Sequence, residues 1–174
     1  MPLIKAYYII SAVAVVHLAM GYYLIAAPEK IATQSTIFIL GEALGLQQPR
    51  SSLYENPLAC AFAGLVLILS AISDLTTVSG AEDVARDYWG AQAPVRTLFF
   101  VIVTGYAYVL KPGRGNVSAT SDHPLINSAI FSWAFMEAIW WFWIHTNLRE
   151  ERGEAMARIH ARKKAKLEME MRED

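Results

Sequence analysis

Apolar positions along this chain collect into four long runs separated by short polar stretches. A helix needs about 20 mostly apolar residues to cross the hydrocarbon of a bilayer. Residues 6–27 form the first run, with only His17 as a potentially charged side chain. Residues 58–78 form the second and end in a more polar turn around Asp74. Residues 94–110 form the third and shortest, with Arg96 at its start. Residues 125–148 form the fourth, rich in tryptophan and interrupted by Glu137. A helix of a soluble bundle is apolar along one stripe. Val13–Met20 and Leu65–Leu69 are instead apolar nearly all round. In lipid the backbone must satisfy its own hydrogen bonds, which a helix does. Tyr7, Tyr8, Tyr22 and Tyr23 lie near the two ends of the first run, where interfacial aromatic belts belong. Pro28, Pro57, Pro94, Pro112 and Pro124 fall at run ends, where proline stops or starts a helix.

Residues 31–46 are apolar but short for a span, and they carry Glu42. They predict an interfacial or partly re-entrant helix. The expected fold is therefore all-α: an integral membrane protein with about four transmembrane helices in residues 1–148. A charged cytosolic helical tail follows in residues 149–174. The first run is long for a cleaved signal peptide and is followed by Pro28, so it reads as a signal anchor.

Composition sharpens this division. Hydrophobic residues make up 55% of the chain and charged residues 18%, against roughly 45–50% and 25% in globular proteins. Eight of the fifteen Lys and Arg residues lie from Arg149 onward, so the net charge of −1 averages two unlike regions. The positive-inside rule puts this tail in the cytosol, and four spans return the N-terminus to the same side. Lys5, Arg86 and Arg96 then join the tail on the cytosolic side, while Lys30, Arg50, Lys111 and Arg114 face the lumen. The sequon Asn116-Val117-Ser118 falls in a short lumenal loop, as a glycan acceptor or an unused site. The single cysteine, Cys60, permits no internal disulfide and reads as a small buried hydrophobe. No CxxC or His/Cys cluster suggests a metal, and no P-loop, GxSxG, HExxH or dinucleotide motif suggests catalysis or a cofactor.

Ionisable groups at membrane depth are costly, so each is a candidate site or half of a structural pair. Asp74 and Arg96 fall at similar depth near the cytosolic side, which predicts an ion pair. The alternative for Arg96 is snorkelling to headgroups. His17 and Glu137 both fall near the midplane, which predicts a hydrogen bond. Such a pair could be structural, a proton relay or a lipid-headgroup site. Trp133, Trp140, Trp141 and Trp143 form either an interfacial belt or a surface for a partner protein. The tail reads as a solvated helix with opposite charges four apart at Glu154/Arg158 and Lys166/Glu170.

Asp74 closing the second run, Pro94-Val95-Arg96 opening the third, Glu137 within an aromatic fourth, and the following Arg149-Glu150-Glu151 make a recognisable order. Over residues 1–155 the chain resembles the fungal "increased loss of mitochondrial DNA protein" family. The resemblance implies a small multipass protein of the endoplasmic reticulum, linked indirectly to upkeep of the mitochondrial genome, with no catalytic residues to carry over. Together these readings point first to a non-catalytic accessory or scaffold subunit of a larger endoplasmic reticulum membrane complex. That complex would serve lipid transfer at contact sites or membrane protein biogenesis, with membrane lipids as partners and no direct contact with nucleic acid. The alternative is a small transporter, channel or lipid-handling protein acting through His17, Glu42 and Glu137.

Overall fold

A computed structural model of the protein describes residues 5–32, 34–46, 56–110 and 125–173. All the regular structure among the described residues is helical. In chain order the helices are α1 (Ala6–Ala26), α2 (Pro28–Ala32), α3 (Ser35–Leu44), α4 (Pro57–Val78), α5 (Glu82–Val109) and α6 (Ser128–Glu173). Two of them, α1 and α4, are long and apolar enough to cross a membrane, judged by length and composition.

Local chemistry sets the helix ends. Pro28 and Pro57 stand at the first positions of α2 and α4, where the missing N–H costs nothing and the fixed φ suits the turn. The expected helix over residues 31–46 is divided between the end of α2 and all of α3. Gly45, with φ of 63°, ends α3 in the left-handed conformation that a residue without Cβ adopts freely. Near the end of α4, the hydroxyls of Thr76, Thr77 and Ser79 donate back to carbonyls of the preceding turn at 2.8–2.9 Å. The Asn127 side chain accepts the Ile130 N–H at 2.9 Å and so caps α6.

The third apolar run begins later than the helix that carries it. α5 starts at Glu82 and continues through Pro94, which lies inside the helix rather than at its edge. Glu82 and Asp83 place negative charge in the first turn, where the helix dipole favours it. Arg86 pairs back to both, at 2.6 and 3.5 Å. Four residues before Pro94 stands Gly90, whose carbonyl loses its helical N–H donor there. The fourth run and the tail are one helix, α6, of 46 residues. Its exposed distal part keeps the expected pair between Arg158 and Glu154, at 3.1 Å. Lys166 and Glu170 have side chains outside the described set.

The helices pack as two pairs, α1 against α4 and α5 against α6. Gly21 and Gly64 face each other across the first pair. A Cβ on Gly21 would lie 2.8 Å from the Gly64 carbonyl oxygen, and one on Gly64 would lie 2.7 Å from that of Gly21. This close backbone approach is the packing mode of helices that associate without a hydrophobic driving force. Across the second pair, Trp89 stacks on Trp141 with ring centroids 5.6 Å apart. The core where α1, α5 and α6 meet includes Ile10, Val13, Trp89, Ala93, Trp141 and Ile144. A smaller cluster of Leu46, Ala107 and Phe131 lies farther along α5 and near the start of α6. The outer faces of α4 and α5 leave Leu58, Leu65, Leu69, Leu98 and Ile102 exposed.

Candidate functional site

Two polar bridges tie the helix pairs together. Asp74, near the end of α4, is 2% exposed. Arg96, two residues past Pro94 in α5, donates from Nη1 to its Oδ2 at 2.7 Å and from Nη2 to its Oδ1 at 2.9 Å. Both carboxylate oxygens are thus engaged in a bidentate fork, the strongest form of such a pair. The guanidinium also lies over the rings of Trp141 and Trp89, at 4.5 and 5.3 Å from the centroids. Aromatic faces carry negative charge density that attracts the cation.

The second bridge joins α1 to α6. His17 Nε2 and Glu137 Oε1 are 2.7 Å apart, and both side chains are buried. The other carboxylate oxygen, Oε2, accepts the Trp141 indole N–H at 2.8 Å. Glu137 and Trp141 are four residues apart, so helical spacing puts them on one face of α6. Trp141 therefore connects the two bridges, hydrogen-bonded to Glu137 at its edge and under Arg96 at its face.

Between the helix pairs lies a cavity of about 940 Å³. His17, Asp74, Arg96, Glu137 and Trp141 all contribute to its lining. Its remaining walls are mostly apolar, and Phe62, Val66, Val95 and Phe99 stand there well exposed.

The residues singled out in the sequence separate into those at this site and those away from it. Asp74 with Arg96 and His17 with Glu137 are brought together as pairs. Glu42 is exposed on α3 and does not line the cavity. The four tryptophans do not share one surface. Trp141 is buried in the core, and Trp133 lines the cavity with its ring edge-on to Phe100 at 5.3 Å. Trp140 and Trp143 stack on each other at 5.9 Å, and Trp143 is exposed. Asn116 lies outside the described residues.

Three participants are residues to which the sequence assigned no site role. Trp89 falls ahead of Pro94, the expected start of the third run, yet it lies seven residues before Arg96 on the same helix face. Glu151 Oε1 accepts the backbone N–H of Ala6 at 2.9 Å and so holds the start of α1. Arg152 donates to the Arg86 carbonyl oxygen at 2.7 Å and lies against Gly90, where any Cβ would overlap its guanidinium. The helical stripe Trp89, Ala93, Arg96, Phe100 was the available signal for the first.

No solved structure matches this chain. The Schizosaccharomyces pombe protein named "Protein ilm1" is 25% identical over 126 residues, covering 72% of this chain and 70% of that protein. The family described as "Increased loss of mitochondrial DNA protein 1" matches residues 4–158, nearly the whole helical bundle and the start of the tail. The chain belongs to the increased loss of mitochondrial DNA protein 1 family.

Proposed function

We propose that this chain is a multipass membrane protein of the endoplasmic reticulum that holds a lipid within the bilayer and acts without catalysis. One observation carries the reading: the cavity of about 940 Å³ between the two helix pairs. Ligand sites occupy roughly 300–1,000 Å³, with mostly apolar walls and a few placed polar groups. Here the walls are apolar and the polar groups are the two bridges. The lips, including Phe62 and Phe99, are exposed and apolar, as an opening toward hydrocarbon requires.

The membrane setting is supported by the exposed apolar faces of α4 and α5. In water, contiguous patches of this kind drive association. In this reading α1 and α4 span the bilayer together with the apolar parts of α5 and α6, and both termini are cytosolic. The effect on mitochondrial DNA for which the family is named is then indirect, through the membrane rather than through contact with nucleic acid.

A second reading, a subunit of a larger membrane complex, is favoured by α6. Its charged extension leaves the bundle as an exposed continuous helix, and Trp143 is exposed on the membrane part of the same helix. Purification from native membranes in mild detergent, followed by mass spectrometry of bound lipids and proteins, tests both readings. Stoichiometric lipid is the expected result. A protein recovered free of lipid overturns the lipid reading, and a stoichiometric large partner in its place establishes the subunit reading.

A further inference from the structure

The ionisable groups lining the cavity have used their charges on one another. Asp74 Oδ1 and Oδ2 both accept from Arg96, at 2.9 and 2.7 Å. Glu137 Oε1 lies 2.7 Å from His17 Nε2, and Oε2 accepts from Trp141 at 2.8 Å. The Arg96 cation is also covered by the Trp141 and Trp89 rings. An entering phosphate would find its one fixed cation already neutralised and two carboxylates close by. A buried anion with no positive partner of its own pays its desolvation uncompensated, so an anionic headgroup is selected against. An entering metal ion or ammonium would find no carboxylate oxygen without a partner.

A carboxylate nevertheless has about four lone-pair sites. Each of these four oxygens has one partner within hydrogen-bond distance, which leaves a lone pair able to accept a neutral O–H. The rest of the cavity suits hydrocarbon: Leu67, Val66, Phe99 and Ile130 are among its walls. Along α4 the lining runs from Ala59 to Asp74, about 22 Å at the α-helical rise. That is enough for one extended acyl chain or a sterol.

Resting on the lipid reading above, we infer that the cavity takes an uncharged lipid alcohol, with its hydroxyl at the Asp74 or Glu137 carboxylate and its hydrocarbon between α4 and α5. A diacylglycerol and a sterol share this chemistry, and the experiment separates them.

The full chain in detergent micelles is irradiated with photoactivatable probes of diacylglycerol, cholesterol, phosphatidylcholine and phosphatidic acid at equal concentration. Labelling by the diacylglycerol or the sterol probe, mapped to peptides of α4 or α6, is expected, and the stronger of the two names the source. Equal labelling by the phospholipid probes overturns the preference for an alcohol and leaves the lipid reading standing. No labelling by any probe overturns both. Asp74→Asn frees Arg96 from its counter-charge, and phosphatidic acid labelling should then rise about tenfold, the effect of one modest charge interaction. Unchanged phosphatidic acid labelling in a folded Asp74→Asn protein overturns the charge argument. Should that variant not fold, Ala63→Phe narrows the cavity with both bridges intact. It should reduce alcohol-probe labelling severalfold, and undiminished labelling overturns the site.

Discussion

The two helix pairs are held together by opposite means. α1 and α4 meet backbone to backbone at Gly21 and Gly64, with no room for a single added carbon. α5 and α6 meet through rings, Trp89 on Trp141 and Phe100 against Trp133. The first contact is fixed by van der Waals distance and cannot be widened without being lost. The second is spread over large side chains that also carry polar handles, so it can hold a charge as well as a helix. Each polar bridge then takes one residue from each pair: His17 of α1 with Glu137 of α6, and Asp74 of α4 with Arg96 of α5. The cavity lies between the pairs because the bridges hold them together while close packing operates within each pair.

The bridge at Asp74 is the most damaging place to break this arrangement. Arg96→Leu strands a nearly fully buried carboxylate and should cost about 3–5 kcal/mol, read as a large fall in the thermal midpoint of the purified protein. Adding Asp74→Leu to it should recover much of that loss, since a buried pair is often replaceable by apolar residues while half of one is not. If Arg96→Leu alone leaves the midpoint unchanged, the two pairs are not held by this bridge. Next in size is the glycine contact. Gly64→Leu forces side-chain atoms into the backbone of α1 and should cost about 3 kcal/mol, the upper part of the usual overpacking range. Gly21→Leu should behave alike, and the double variant should cost less than the two together, because both break one contact. Full additivity would show that the glycines act at separate places. Glu137→Gln is milder, because an amide can still accept one hydrogen bond. Loss of the charge-assisted bonds to His17 and Trp141 should cost about 1.5–3 kcal/mol. If function is lost while the protein level holds, Glu137 acts at the cavity; if the level falls, its role is structural.

The sequence revealed the bridges more readily than the close packing. Asp74, Arg96, His17 and Glu137 stand out because charge is rare in apolar runs, and counting residues from run ends places each partner at matching depth. Helix extent was harder. Pro94 reads as the start of the third run, yet one proline removes one hydrogen bond and the helix already begins at Glu82. That error concealed Trp89, whose relation to Arg96 exists only if both lie on one helix. Gly21 and Gly64 are visible as glycines in apolar runs, but which one faces which depends on pairing that no periodicity specifies. The tryptophans of α6 were grouped by composition, and helical rotation sends Trp141 inward and Trp143 outward. The cavity had no sequence signature at all, since it arises from the spacing between pairs.

The smallest effect concerns a tie outside the cavity. Glu151, where α6 leaves the bundle, accepts the N–H of Ala6 at the first turn of α1. A carboxylate at a helix N-terminus satisfies an orphan donor and meets the positive end of the dipole. Glu151→Ala removes both effects and should cost about 1 kcal/mol, as loss of an N-terminal cap does. Glu151→Gln keeps an acceptor and should cost only a few tenths, the share due to charge. Because α1 is also fixed by Gly21 and His17, the loss should stay local. Amide hydrogen exchange should quicken in the first turn of α1 and remain unchanged at Gly21. If exchange quickens along the whole of α1, the first turn is the anchor of that helix and the glycine contact is secondary. If it quickens nowhere, α6 holds α1 through His17 and Glu137 alone, and the charged helix beyond Glu151 is free to move without disturbing the bundle.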